Sequence, residues 1–288
     1  MTAEPSDHID PRALETVAVP CPLCTSGSDR TFAKVNGYRI ARCARCAFLF
    51  VNPRPTESSL GRLYSEGNPY HSQSFEPLTG ESRVLSQVLR RVRTYTAGGD
   101  LLEVGCGRGD LLRLARTAGF SVTGVDFFGG RKPAEEGMSF FDGDLRRALF
   151  PDASFDIVIN RNLLEHTFDP GAEMREIRRV LKPGGQVYLK VPNVRFEHGW
   201  RCRLVFRARH LLEPPYHLNY FDPSSLKKLL ADNGVDFLRW WIEAPSRERR
   251  LLATIQREAF YRLAQGCYLL SAGSVFPQVV LTCSARKR

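Results

Sequence analysis

Four short apolar runs recur beyond residue 98, each bounded by glycine, proline or an acid: 101–104 (LLEV), 121–126 (SVTGVD), 155–160 (FDIVIN) and 186–191 (QVYLKV). Runs of this length predict strands buried on both faces, as in a parallel sheet. Between them the spacing turns helical over 108–118 and over 170–181 (PGAEMREIRRVL), the second closed by Lys182-Pro183-Gly184-Gly185, residue types that stop a helix. Strands alternating with helices predict a doubly wound α/β fold. Weaker strand signals at 138–141, 235–241 and 277–285 complete a mostly parallel sheet of seven strands. Residues 195–215 and 246–272 read as helical inserts beside the substrate opening.

Before residue 98 cysteine pairs, prolines and turn residues dominate. The change of texture predicts a disordered tail over 1–16, a small module over 17–60, a linker with N-terminal helices over 61–97 and the main domain over 98–288. An apolar content of 43% in 288 residues suffices for one large core with an appendage. The first twenty residues hold four acids and no apolar run of seven, and no eighteen consecutive apolar residues follow. Neither an export signal nor a transmembrane helix is expected. Eight cysteines in such a chain, four of them in two CxxC pairs, indicate metal ligation in a reducing, cytoplasmic setting more than a disulfide framework.

Cys21-Pro22-Leu23-Cys24 and Cys43-Ala44-Arg45-Cys46 are separated by 18 residues. Four thiolates at this spacing can close a tetrahedral Zn2+ site and so stabilise a segment too small for its own core. Such a closed site leaves no position for substrate, so the zinc is expected to be structural. Cys106, Cys202, Cys267 and Cys283 are scattered and read as small buried hydrophobes.

The net charge of +10 is uneven: residues 195–288 hold 16 basic against 8 acidic side chains, and residues 1–99 hold 12 against 9. A basic C-terminal third favours anionic partners, whether nucleotide sugars, phosphorylated lipids, a membrane face or nucleic acid. Its segments Trp200-Arg201-Cys202-Arg203-Leu204-Val205-Phe206-Arg207-Ala208-Arg209 and Arg247, Arg249, Arg250, Arg257 and Arg262 could form an anion-binding lid, solvated cover helices or a peripheral membrane contact.

The stretch Leu101-Leu102-Glu103-Val104-Gly105-Cys106-Gly107-Arg108-Gly109 sets three glycines where the first strand turns into a helix. Glycine permits close backbone approach, and a helix N-terminus supplies free amides. Asp126 closes the second strand 21 residues after Gly105, where a carboxylate can accept both hydroxyls of a ribose. A dinucleotide fingerprint would need glycine at 110, which is Asp110.

Glu103-x-Gly105-x-Gly107-x-Gly109 instead resembles the first motif of class I S-adenosylmethionine-dependent methyltransferases, over residues 98–245. The resemblance implies a Rossmann-like methyltransferase fold and S-adenosylmethionine as cofactor. It assigns the cofactor to Glu103, Gly105, Cys106, Gly107, Gly109, Asp126, Phe127 and Asn160, with Asp144 and Leu145 at the adenine. Leu181-Lys182-Pro183-Gly184-Gly185 resembles the family's turn before the fifth strand, and the cysteine segment through Phe48–Pro55 resembles zinc modules on bacterial small-molecule and sugar methyltransferases.

His166, just beyond the fourth strand, and His217, in Pro214-Pro215-Tyr216-His217-Leu218-Asn219-Tyr220-Phe221, are the candidate catalytic residues, His217 as general base and His166 orienting substrate. Packing or capping roles remain open for both. Ubiquinone-type O-methyltransferases bind a divalent metal through E-x-x-E-H, and the matching positions here are Asn162, Glu165 and His166, one carboxylate short. The favoured function is methylation of a small-molecule or sugar-type acceptor at oxygen. A second reading is an RNA methyltransferase using the module and basic surface, opposed by the mild charge of 17–60 and the lack of an Asn-Pro-Pro-Tyr-type motif. A third is a binding protein that keeps the fold without transfer activity.

Overall fold

The computed structural model describes residues 14–66, 81–127, 136–195, 212–243, 251–271 and 278–288. The chain opens with β1 (Thr16–Val17), the hairpin β2 (Asp29–Val35) and β3 (Tyr38–Cys43), β4 (Leu49–Val51), β5 (Arg54–Pro55), α1 (Glu57–Glu66) and α2 (Glu81–Val92). The α/β part follows as β6 (Gly99–Val104), α3 (Asp110–Thr117), β7 (Phe120–Asp126), β8 (Met138–Asp142), a 3-10 turn (Leu145–Arg147), β9 (Phe155–Arg161), α4 (Pro170–Val180) and β10 (Leu181–Pro192). It ends with β11 (Asn219–Tyr220), α5 (Pro223–Asp232), β12 (Val235–Trp240), α6 (Leu251–Leu270) and β13 (Val280–Lys287).

Seven strands form one sheet in the order β12-β13-β10-β9-β6-β7-β8. The neighbours from β8 to β10 pair in parallel, and β13 runs antiparallel to both β10 and β12. The doubly wound expectation therefore holds, with β13 as the reversed strand. Chain order turns about β6, which has β7 on one side and β9 on the other, so the carboxyl ends of β6 and β9 border the crevice where such sheets bind ligands.

Most elements shift by a residue or two from the sequence reading, and two of the differences have a plain cause. The last strand starts at Val280 and runs on to Lys287 because it pairs with β10 from Val280 opposite Pro192 through Arg286 opposite Gln186, and with β12 at Lys287 opposite Val235; its basic end hid it from a hydropathy pattern. Helix α4 stops at Val180, and the Lys182–Gly185 turn bulges out between the β9–β10 pairs at Leu181 and Gln186. The helix starts as its sequence implies, with Asp169 Oδ1 accepting from the Ala172 amide at 2.9 Å ahead of Pro170.

The expected tail over 1–16 needs correction at its end, since Leu14 is buried beside an apolar cluster with Tyr38, Ile40 and Leu63, and Thr16 pairs with Pro55. The rest of that tail, 1–13, lies outside the described residues, as do 196–211 of the first insert and 246–250 and 272 of the second. Within the second insert α6 is a 20-residue helix, and no helix among the described residues is long and apolar enough to cross a membrane.

The N-terminal strands form a second sheet, β11-β4-β3-β2, whose hairpin turns at Asn36 and Gly37, both at positive φ. Its fourth strand comes from residues 219–220, far along the chain. Cys21, Cys43, Phe48 and Phe50 share one buried cluster with Leu102, Val104, Val158, Leu189 and Phe221 of the main core. The cysteine segment thus packs as part of the α/β body.

Candidate functional site

Strand β6 delivers Glu103 and Val104 to the crevice, where the chain turns through Gly105, Gly107 and Gly109 at φ of 77°, 52° and 78° before α3. Side chains strain at such angles, and glycine does not. The amides of Gly105 and Cys106 donate to Val125 O at 2.8 and 3.2 Å, fixing the loop on β7. Asp126 ends β7 against that loop: Oδ2 accepts from Gly107 N at 2.6 Å and Oδ1 from Phe127 N at 2.7 Å. Cys106 is buried, and burial raises its thiol pKa. A β-carbon at Gly124 would stand 2.6 Å from its sulfur, so the pair is a packing contact.

At the far end of the crevice, Asp144 caps the 3-10 turn, its Oδ1 accepting from Arg147 N at 3.0 Å, while Leu145 is wholly buried in the main cluster. On the other side sits Asn160, near the end of β9, buried with both amide atoms lacking a hydrogen-bond partner. Glu103 Oε2 is likewise buried and unpaired, and Oε1 lies 3.9 Å from an Arg161 nitrogen. Burial pushes this carboxyl up to about 8, against the pull of Arg161. Buried polar groups without partners are rare, and Glu103 and Asn160 leave hydrogen-bonding capacity here that suits a polar ligand.

Beyond Asn160 the chain brings together the two candidate histidines, which lie 51 positions apart. Their rings meet edge to face with centroids 4.8 Å apart. His166 Nδ1 is 2.9 Å from Tyr216 O and 3.0 Å from Tyr64 Oη, while that hydroxyl donates to Tyr216 O at 3.2 Å. The carbonyl fixes the proton on Nδ1 and leaves Nε2 with the lone pair, 3.9 Å from Glu165 Oε1. Burial, then His217, pushes His166 down to about 3, so it is neutral at physiological pH. Burial pushes Glu165 up to about 8. Donor atoms of Glu165, His166 and His217 lie within 4.8 Å of one another, close enough to share a metal ion or a proton.

The segment carrying His217 is pinned by main-chain bonds. Leu218 and Asn219 amides donate to Glu165 O at 2.7 and 3.0 Å, and Val51 N donates to Leu218 O at 2.9 Å. Asn219 Nδ2 spans Leu164 O at 3.1 Å and Thr167 O at 2.7 Å. A charged strip runs beside this region: Lys190 pairs with Glu243 at 2.7 Å, and Arg91 lies 3.9 Å from Glu243 and donates to Tyr188 Oη at 2.8 Å.

The four N-terminal cysteines converge. Cys21 and Cys46 sulfurs stand 3.6 Å apart, Cys24 and Cys43 sulfurs 3.5 Å, and all four lie within 4.8 Å. Thiolates about 2.3 Å from zinc stand about 3.8 Å apart in a tetrahedron, so this donor set fits the ion. The Cys46 amide points at Cys43 Sγ at 3.5 Å. Although burial opposes it, this amide and that of Arg45 draw the Cys43 thiol down to about 7. Cys283 is buried as expected, whereas Cys267 is half-buried and Cys202 lies outside the described residues.

Sequence reasoning missed Tyr64, Arg54, Asn219 and the Arg91–Lys190–Glu243 strip. Their partners lie far off in the chain, and the only local hint was a charge, Arg54, three residues after the apolar run 48–51.

A family of sequences described as a methyltransferase domain matches residues 79–240, more than half of the chain. A Mycolicibacterium smegmatis protein named a probable S-adenosylmethionine-dependent methyltransferase is 29% identical over 56% of this chain and 65% of its own. A ubiquinone biosynthesis O-methyltransferase of Pseudomonas paraeruginosa is 34% identical over 35% of this chain and 47% of its own. The chain thus spans between about half and two thirds of the length of these relatives. Among solved structures, the Burkholderia thailandensis 1,6-didemethyltoxoflavin-N1-methyltransferase with bound 1,6-didemethyltoxoflavin and S-adenosylhomocysteine covers 90% of this chain and 99% of its own, with a TM-score of 0.53 at 16% identity. That likeness speaks to the fold, and the match over 79–240 to the family: this chain belongs to the methyltransferase-domain family.

Proposed function

We propose that the protein transfers a methyl group from S-adenosylmethionine to a small-molecule or sugar-type acceptor, at oxygen, in the cytoplasm. The observation that carries the cofactor reading is the glycine loop closed on Asp126 at the crevice, flanked by the unpaired buried atoms of Glu103 and Asn160. Bound there, the cofactor supplies an electrophilic methyl on a sulfonium, and the protein's task is alignment in a dry pocket. Asp126 accepts the ribose hydroxyls, Phe127, Asp144 and Leu145 border the adenine, and Glu103 and Asn160 take the amino-acid end beside Gly105, Cys106, Gly107 and Gly109.

The acceptor half is built from the histidines. His217 removes the proton of the attacking hydroxyl, and His166, held neutral with its lone pair inward, orients it. The likeness of about a third of the chain to an O-methyltransferase favours oxygen as the methylated atom. Arg91, Arg161 and Lys190 outnumber Glu243 beside a Glu103 that burial keeps largely protonated, which favours an anionic acceptor. The four thiolates hold a structural zinc.

Titration of S-adenosylhomocysteine into the purified protein tests the cofactor reading. Micromolar binding is expected, and Asp126→Ala should weaken it by roughly 10- to 150-fold, the worth of charge-assisted hydrogen bonds of about 1.5–3 kcal/mol. Absence of binding to the unmodified protein would overturn the assignment.

The affinity should also depend on pH. A ligand ammonium beside Glu103 favours the carboxylate, which burial holds protonated below about 8. Binding therefore tightens as pH rises from 6.5 to 8.5, with proton release that calorimetry in buffers of different ionisation enthalpy reads directly. Glu103→Gln should flatten the dependence; an unaltered slope would place the ligand's amine elsewhere.

A further inference from the structure

Arg54 is wholly buried. Its Nε donates to Val51 O at 3.3 Å, one terminal nitrogen to Phe168 O at 2.6 Å and the other to Asn219 Oδ1 at 3.3 Å. The rings of Phe50 and Phe168 lie 5.8 and 5.7 Å from its guanidinium carbon. Every one of these partners is neutral. A cation held in the interior without a direct ion-pair partner is costly, and it persists where charge nearby repays it. Burial lowers its pKa to about 10, while the fields of Asp169 and then Cys21 favour the charged form.

Asp169 exerts the larger of these two fields, and the cysteine centre adds a second, concentrated one when its four thiolates hold a metal. Four thiolates around a divalent ion carry two net negative charges. Phe50, under the guanidinium, belongs to the same buried cluster as Cys21 and Cys43. Cys43 ends β3, which pairs with β4, and β4 carries both Val51 and the β11 pairing at Asn219. On its other side Arg54 holds Asn219, whose side chain ties the carbonyls of Leu164 and Thr167 on either side of Glu165 and His166. Asn219 also stands two residues after His217.

We propose that Arg54 couples the metal centre to the acceptor half of the site: its charge balances the metal–thiolate cluster, and its fork fixes Asn219 and thereby the register of His217 against Glu165 and His166. The proposal rests on the reading that the thiolates hold zinc and the histidines face the acceptor. Arg54 is a positioning residue in this scheme, since it touches no reacting atom.

The test uses the full zinc-loaded chain with Arg54→Met, Arg54→Lys and Asn219→Leu, and reads zinc release to a chromophoric chelator, histidine side-chain resonances in 15N-labelled protein, and S-adenosylhomocysteine affinity. Arg54→Met is expected to release zinc at least tenfold faster and to shift the His166 and His217 resonances, with cofactor affinity within about twofold. Arg54→Lys keeps the charge and loses the fork, so it should restore zinc retention and leave the resonances shifted. Asn219→Leu, which removes only the clamp, should shift the resonances at an unchanged rate of zinc release; it serves as the deciding variant where Arg54→Met does not fold. Zinc release and resonances that stay as in the unmodified chain overturn the coupling. An unmodified chain that takes up no zinc overturns the zinc reading itself, a separate and recognisable failure.

Discussion

Alanine at position 217 is expected to lower turnover by about 10²- to 10⁴-fold while leaving S-adenosylhomocysteine affinity within about twofold, the span that general-base catalysis contributes to hydroxyl chemistry. The argument is geometric. His217 is buried edge to face with His166, and donor atoms of Glu165, His166 and His217 lie within 4.8 Å. His166 has its Nδ1 committed to Tyr216 O and burial holds it neutral, so it adds no repulsion when a proton arrives next to it. Glu165 stands ready to stabilise that proton, since a positive neighbour draws a buried carboxyl toward its ionised form. The split between turnover and cofactor affinity separates a base from a packing residue, because a collapse of the pocket would move both. Unchanged turnover would remove His217 from the chemistry.

Stripping the zinc proposed for the four thiolates, or replacing Cys43 by serine, is expected to lower the unfolding midpoint of the whole chain by more than about 10 °C, in a single transition. Structural zinc in small modules contributes apparent free energies of about 10–16 kcal/mol, and even a fraction of that displaces the midpoint of a chain this size by about 2–4 °C per kcal/mol. A single transition is expected because both apolar clusters of the module take in residues of the body: Cys21, Cys43, Phe48 and Phe50 pack with Leu102, Val158 and Phe221, the cluster of Tyr38, Ile40 and Leu63 includes Val194, Leu218 and Tyr220, and β11 belongs to its sheet. Differential scanning calorimetry with and without chelator checks this. Two transitions, the larger one unmoved, would show the module to melt by itself.

Much of the fold was legible in the chain because the signals are local. Strands β6, β7 and β9 each lie within a residue or two of an apolar run bounded by a breaker, since a strand buried on both faces needs apolar side chains at consecutive positions. The glycine loop and the paired cysteines were equally legible, because a left-handed turn and a four-thiolate centre impose residue types at fixed short spacings.

What the tertiary structure decided involves partners that no window contains. That 219–220 would complete the N-terminal sheet, that Arg54 would be buried with its charge, and that Tyr64 would hydrogen-bond His166 depend on segments brought together over 102 to 171 positions. Likewise β13 was blurred by its basic end, and its pairing with β10 and β12 fixes where it stops. By itself the sequence determined the α/β sheet, the cofactor-type loop and the cysteine set, each a property of neighbours along the chain. The meeting of His166, His217 and Glu165, and the seating of the cysteine segment on the main core, were decided by long-range packing, because which buried faces and hydrogen-bonding groups find each other depends on the whole chain closing at once.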